Sequence, residues 1–244
     1  MLLALIPSVV LLAAKANVAE CRGITMNDRH IRAVITAGPA KFTEENEARM
    51  LAVDGTVHRL RYMSVTQNGT QIAQSEVAKR ESRENDALDR GNGFFKQPYD
   101  QRYLADYTFD PPSVQGSQSI VPFRSLVRDD QHGDGTMRVA NATGRVLEVD
   151  YTPDVLPKHA TSGTTTEYFG EPMAGLWTIV RIERTYQGRV AFFHGDGNVS
   201  ETLDHFKRFP SLAAGLQALE GTAPISYRPA YRINASSTIP ADIK

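Results

Sequence analysis

The chain has 244 residues with 27 basic and 28 acidic side chains, which leaves a formal net charge of -1. Hydrophobic residues make up 41% and charged residues 23%, as in ordinary globular proteins, so collagen-like and low-complexity architectures are excluded. The balanced charge provides no overall field to attract a nucleic acid, and we expect none as a partner. A single cysteine excludes an intrachain disulfide. A chain of this length buries enough surface to fold without a metal, and we predict no cofactor.

The N-terminal segment has the features of an export signal. Residues 1–16 are apolar except for Lys15, and the stretch is shorter than the roughly 20 residues of a membrane-spanning helix. Small residues flank Lys15, as at a signal cleavage site. Glu20 precedes Cys21, which argues against lipidation of that cysteine. We predict that residues 1–22 are an export signal or an anchor, with a buried N-terminal helix as the alternative.

Alternating side chains and turn residues predict antiparallel strands along most of the remaining chain. Residues 44–72 are predicted to form two long strands around the turn Asp54-Gly55, with a second turn at Asn68-Gly69. Residues 135–151 predict a hairpin around a turn at 141–144. Further strands are predicted at 103–109, 176–182 and 190–194, with a turn at 186–189 before the last.

Two segments predict helices. Residues 76–90 carry nine charges of mixed sign, which favours a solvated helix or a mobile excursion. Residues 211–220 predict a helix with Ser211 as N-cap and Gly221 as its end. Residues 221–244 contain three prolines and many small polar residues, and we predict an extended or disordered tail.

These elements predict a mainly β protein with a few helices, in the α+β class. The strands would form a curved antiparallel sheet or an incomplete barrel partly wrapped around helix. We predict one half-barrel-like domain over residues 23–220, with a charged insert near 76–100. Alternation is imperfect at Val146-Leu147 and Phe192-Phe193, which puts apolar side chains on both faces of the sheet. One face can pack on helices while the other lines a concavity.

Motifs of serine hydrolases, zinc proteases, Walker A loops and dinucleotide-binding loops do not occur in the sequence. The fragment His-Gly-Asp-Gly occurs twice, at 132–135 and 194–197, and Asp-Gly pairs of this kind favour tight turns. Imidazole and carboxylate groups are also zinc ligands. The alternative to a solvated turn is therefore a metal site with ligands His132, Asp134, His194 and His205.

Apolar and aromatic side chains concentrate in the C-terminal half of the chain. Core packing explains any single ring, but together these groups could line an apolar cavity with few polar anchors, the usual form of a hydrophobic-ligand site. The predicted lining residues are Met137, Val149, Tyr151, Trp177 and Phe193.

Three stretches resemble exported bacterial proteins of the LolA-like group of outer-membrane lipoprotein-sorting proteins. They are residues 41–58 with their Asp-Gly turn, the hairpin at 134–149 with its Thr-Gly turn, and the late strand at 177–183 after Phe169-Gly170. The resemblance implies an incomplete antiparallel barrel wrapped partly around one or more helices, with a hydrophobic cavity for acyl chains. It brings no catalytic residues.

The favoured prediction is an exported, non-enzymatic protein of the periplasm or cell envelope that binds a hydrophobic small molecule, a lipid or a lipoprotein. Its contact with the membrane would be peripheral at most, through a tether formed by residues 1–16. Two alternatives stay open. One is a metal-assisted hydrolase of the envelope, and the other is a structural or interaction protein whose sheet edge pairs with an envelope protein.

Overall fold

The computed structural model describes residues 6–91, 95–190 and 193–221, with the backbone alone at Val190 and Phe193. Three α-helices occur in this part of the chain: α1 (Ser8–Glu20), α2 (Gln74–Asp89) and α3 (Leu212–Glu220). Its twelve strands are β1 (Ile24–Ala37), β2 (Ala40–Val53), β3 (Thr56–Gln67), β4 (Thr70–Gln71), β5 (Tyr107–Phe109), β6 (Ser113–Gln115), β7 (Gln118–Ser125), β8 (Gly133–Ala140), β9 (Val146–Pro153), β10 (Ala160–Met173), β11 (Leu176–Val190) and β12 (Phe193–Phe209).

All twelve strands belong to one antiparallel sheet in the order β4-β3-β2-β1-β12-β11-β10-β9-β8-β7-β5, with β6 also paired to β7. Most neighbours follow each other in the chain, and the pairing of β1 with β12 joins the two ends of the meander. The sheet is curved and open, so the predicted fold class is confirmed. Its two edges within the described residues are the short strands β4 and β5.

The tight turns of the N-terminal half lie where the sequence predicts them. Asp54 and Gly55 both have positive φ, at 48° and 76°, and Asn68 and Gly69 have φ of 49° and 76°. Two consecutive positive φ angles match the right-handed twist of the flanking strands, so such turns close hairpins tightly. The predicted strands of 44–72 are confirmed as β2, β3 and β4.

The two His-Gly-Asp-Gly fragments were predicted to form turns, and that prediction is wrong. Residues 133–135 begin β8, and residues 194–197 lie inside β12. A Cβ on Gly135 would lie 1.9 Å from the carbonyl oxygen of Asp150, so this glycine allows β8 and β9 to approach closely. The turn predicted at 186–189 is also wrong, because β11 continues to Val190 in register with β12.

Helix α2 packs on β3 and is neither mobile nor fully solvated. Val77 is 3% exposed, and the side chain of Asn85 brackets Leu60 with two 3.0 Å hydrogen bonds, one to its N–H and one to its carbonyl. The backbone N–H of Tyr62 donates to Glu81 at 2.8 Å. The charged pattern therefore predicts the helix correctly, but it does not predict that the helix packs on β3.

Helix α3 has the predicted boundaries. The Ser211 side chain accepts a hydrogen bond from the N–H of Ala214 at 3.2 Å, which satisfies one of the free donors of the first turn. Its Leu219 packs with Met26 and Leu51 in a separate small core. The predicted tail from 222 onward lies outside the described residues, and the division into three segments stays a prediction.

Candidate functional site

The largest apolar surface of the sheet lies on β7, β8 and β9. Side chains two positions apart on a strand point to one face, and here each strand contributes such a pair. Met137 and Val149 are fully buried and directly opposite each other in the β8–β9 ladder, and Tyr151 is 7% exposed. These three predicted lining residues thus belong to one buried surface, completed by Val121, Phe123, Val139 and Val146.

Helix α1 occupies the space in front of this surface. Its Val10 and Ala13 have no exposed area and Ala14 is 4% exposed, and all three belong to the same buried cluster as Met137 and Val149. Between the buried side of α1 and the sheet lies a cavity of about 10 Å³, room for one water molecule at most, and a larger open groove of about 460 Å³ runs along the outer side of α1 beside Asn141. The apolar hollow predicted from the sequence is therefore filled by the chain's own N-terminal helix.

The other side of α1 exposes Ser8 and Lys15 but is otherwise mostly apolar. Leu11, Leu12 and Val18 are 43%, 39% and 37% exposed, although a helix at a protein surface normally carries polar residues on its outer face. The helix also lacks a side-chain cap at its N-terminus. Packing against the sheet explains the apolar side chains on the buried side of α1 only. The apolar side chains on its exposed side suit an environment more apolar than water.

Polar contacts fix the C-terminal end of α1. The Arg145 Nε donates to Glu20 at 2.8 Å, and the Cys21 thiol donates to the carbonyl oxygen of Trp177 at 3.2 Å. Trp177, a predicted lining residue, is half-buried and donates from its indole nitrogen to the carbonyl oxygen of Val146 at 2.7 Å. Trp177 thus lies at the end of the hollow. The side chain of Phe193 lies outside the described residues.

A buried carboxyl group borders the apolar surface, because Glu167 on β10 is directly opposite Val149 on β9. Glu167 accepts hydrogen bonds from the Gln97 amide at 2.6 Å and from the Tyr151 hydroxyl at 3.3 Å. Burial raises the pKa of Glu167 to about 7, although the positive charge of Arg184 acts in the opposite direction. The ring of Tyr151 stacks on Phe95 with centroids 3.6 Å apart. Glu167 is not among the residues predicted from the sequence, because it follows a run of threonines and no local pattern marks a glutamate there as buried.

The four residues of the predicted metal site do not come together, which corrects that set. His132 is buried, with Nδ1 2.6 Å from Asp129 and Nε2 3.3 Å from Asp106, so both its nitrogens already face carboxylates. His194 and His205 are eleven positions apart on β12, roughly 35 Å of extended strand. The Asp134 carboxylate accepts the N–H of Ser125 at 2.8 Å. Because β12 is one continuous strand, His194 and His205 lie far apart along it.

No family model matches the chain, and no curated protein matches it in sequence. Solved structures do match. A LolA superfamily protein from Nitrosomonas europaea is 10% identical, with a TM-score of 0.38 over 84% of this chain and 93% of that one. A DUF1329 family protein from Desulfovibrio piger is 12% identical, with a TM-score of 0.38 over 84% and 93%.

A third match is a domain from Vibrio parahaemolyticus described as an outer membrane lipoprotein-sorting protein. It is 10% identical, with a TM-score of 0.43 over 83% of this chain and 92% of that one. Two of the three proteins, those from Nitrosomonas europaea and Vibrio parahaemolyticus, are described as members of the LolA-like, lipoprotein-sorting group that this sequence resembles. Among the described residues, no helix has both the length and the apolar character needed to cross a bilayer.

Proposed function

We propose that this protein is an exported, non-enzymatic binding protein that holds an acyl chain or a similar apolar ligand in the hollow where α1 lies. The observation that carries the proposal is that α1 exposes Leu11, Leu12 and Val18 in addition to the apolar side chains that it buries against the sheet. Such a segment can leave the sheet for a lipid environment, and the surface of β7–β9 would then need another apolar occupant. The protein would act in the periplasm or cell envelope, with α1 as signal or peripheral tether.

Two features of the structure favour this function over the alternatives. The metal-assisted hydrolase needs His132, His194 and His205 in one site, and they are apart. Pairing with an envelope protein through a sheet edge needs a long free strand. The long edge of β3 pairs with β4 at Thr66 and Gln67 only, but α2 covers part of the rest, where its Asn85 and Glu81 side chains bond the backbone of Leu60 and Tyr62.

The experiment compares two neighbouring substitutions in the full chain. Val10→Asp places a carboxylate at a position without exposed area, whereas Leu11→Asp places the same group where 43% of the side chain is exposed. A buried, unpaired carboxylate is strongly unfavourable, so Val10→Asp should drive α1 out of the hollow. The probe is 11-dansylaminoundecanoic acid, a fluorescent acyl chain, titrated into each protein and then displaced with palmitate.

We expect Val10→Asp to bind one equivalent of the probe at least about tenfold more tightly than the wild type, because the open state is then the major one. Leu11→Asp should behave as the wild type. Far-UV circular dichroism and thermal unfolding check that the sheet persists in both variants. If Val10→Asp keeps its sheet without binding the probe more tightly than Leu11→Asp does, the proposal is wrong. It is equally wrong if palmitate does not displace the probe.

A further inference from the structure

A cluster of imidazole and carboxylate groups bridges β1 and β12, away from the apolar hollow. His30 projects from β1, and Asp204 and His205 are consecutive on β12. One nitrogen from each ring and one carboxylate oxygen all lie within 4.8 Å of one another. The His30 Nε2 is 3.4 Å from Asp204 Oδ1, and the His205 Nδ1 is 3.1 Å from the same oxygen.

A bulge in β12 makes this arrangement possible. Between the pairs Met26–Lys207 and Asp28–Asp204, β1 has one residue while β12 has two, His205 and Phe206. His205 has a φ of 51°, in the left-handed region that a residue with a side chain seldom adopts. Without the extra residue, consecutive side chains would point to opposite faces of the sheet. A bulge that re-aims a side chain is typical of functional positions.

The shared oxygen does not have the partners of an ordinary ion pair. Asp204 Oδ1 is shielded from solvent, and no donor among the described residues is in hydrogen-bonding geometry to it. The two ring nitrogens approach it closely but not along an N–H···O direction. Two imidazole nitrogens and a carboxylate oxygen this close together, with the oxygen not hydrogen-bonded, can hold a metal ion.

The separations also fit a small metal ion. Zinc binds imidazole nitrogen and carboxylate oxygen at about 2.0–2.2 Å, so neighbouring ligand atoms of a tetrahedral site are roughly 3.3–3.5 Å apart. The two separations to Asp204 Oδ1, 3.4 and 3.1 Å, are close to this value. The other nitrogen of His30 lies 3.8 Å from Glu47, an ion-pair distance that is too long for a hydrogen bond. Asp28 Oδ2 also lies 3.3 Å from His205 Nδ1, but the Asp28 carboxylate accepts a hydrogen bond from Arg49 at 2.7 Å, so we place it outside the ligand set.

We propose that His30, Asp204 and His205 form a site for a transition-metal dication of the zinc type, with water as the fourth ligand. Two imidazoles with one carboxylate select zinc, cobalt or nickel over magnesium and calcium, which prefer oxygen ligands. The ion would cross-link β1 to β12, the pairing that joins the two ends of the meander.

The test titrates the tag-free full chain with Co²⁺ and follows the visible absorption of tetrahedral cobalt, then adds Zn²⁺ as competitor. We expect one equivalent to bind, Zn²⁺ to displace it, and Mg²⁺ to leave the spectrum unchanged. His30→Gln and Asp204→Asn should each weaken binding by at least about tenfold. His194→Gln is the matched control, because His194 is an exposed histidine on the same strand, and it should bind as the wild type does.

A second measurement is independent of the spectrum. Zn²⁺ should raise the thermal unfolding temperature of the wild type and of His194→Gln, an effect reversed by EDTA and absent in His30→Gln. The proposal is overturned if cobalt does not saturate at one equivalent, or if His194→Gln loses as much affinity as His30→Gln. Equal stabilisation of wild type and His30→Gln by Zn²⁺ would also overturn it.

Discussion

The carboxylate of Glu20 accepts a hydrogen bond from the Nε of Arg145 at 2.8 Å, which ties the last residue of α1 to the start of the hairpin strand β9. The residue before Arg145 adds a steric contact. Gly144 has a φ of 74°, and a Cβ there would lie 2.6 Å from Leu12 Cγ, so α1 rests directly on this turn. Two points of α1 are therefore fixed against one tight turn of the sheet.

Removing the charge on Glu20 should loosen α1. An ion pair at a partly exposed position contributes modestly, so Glu20→Gln should raise the apparent affinity of the full chain for 11-dansylaminoundecanoic acid by about two- to fivefold. Fluorescence titration measures this. Glu171→Gln is the control, because Glu171 also contacts Arg145, at 3.4 Å, but lies on β10. Equal effects of the two substitutions would show that Arg145, and not the attachment of α1, controls probe binding.

The thiol of Cys21 should be unreactive while α1 is in place. Burial, together with the negative charge of Glu20, raises the pKa of Cys21 to about 11. At pH 8 the thiolate fraction is then on the order of 10⁻³, so alkylation by iodoacetamide should be roughly 100-fold slower than in the urea-unfolded chain. Mass spectrometry follows the single cysteine. Val10→Asp should react faster than Leu11→Asp, and a native rate within tenfold of the unfolded rate contradicts the prediction.

Local signals in the sequence suffice for the hairpins but not for all strands. Asp54-Gly55 and Asn68-Gly69 predict their turns because these residue types adopt positive φ at low cost. No sequence prediction covers β1 or β10. Strand β1 carries Asp28 and Arg29 in its middle, and their partners Arg49 and Glu84 come from β2 and α2. Charged side chains on β1 are tolerated because opposite charges on β2 and α2 pair with them. Since those partners are distant in the sequence, the local pattern of β1 does not predict a strand.

In the candidate site, too, the features set by local sequence could be predicted, and those set by contacts between distant segments could not. Met137, Val149 and Tyr151 could be predicted as one apolar surface because they alternate along paired strands. Its occupant is foreseen only as the alternative of a buried N-terminal helix, because the contact of α1 with the turn at 144 depends on how far the sheet curves. The cluster of His30 with His205 depends on the register of β1 with β12, which joins residues 175 positions apart. His205 is among the metal ligands predicted from the sequence, but the other predicted ligands, His132, Asp134 and His194, do not lie near it.

Truncating the centre of the apolar surface should destabilise the full chain. Met137 has no exposed area, so Met137→Ala removes buried atoms and leaves a cavity, at a cost of about 2–5 kcal/mol in the free energy of unfolding. Val114→Ala is the control, since Val114 is 69% exposed and should change stability by less than about 0.5 kcal/mol. Urea unfolding measures both. A Met137→Ala cost below about 1 kcal/mol would show that α1 and the sheet are not packed together in solution.

The buried Glu167 should make the protein less stable as the pH rises. Its pKa is about 7 in the folded chain and 4.5 as an unperturbed side chain, so the folded state favours the protonated form. The stabilisation that this proton provides is complete below pH 4.5 and is lost as the pH rises through 7. A shift of this size corresponds to about 3 kcal/mol.

Glu167→Gln keeps a neutral side chain at every pH, whose carbonyl oxygen can accept from Gln97 and whose amide nitrogen can donate to the Tyr151 hydroxyl. We therefore expect its free energy of unfolding, relative to the wild type, to rise by about 3 kcal/mol between pH 4.5 and pH 8 in urea titrations. Glu183→Gln, at a side chain 45% exposed on the neighbouring strand β11, should show no such trend. A constant difference between Glu167→Gln and the wild type would mean that Glu167 ionises as freely in the folded chain as in the unfolded one.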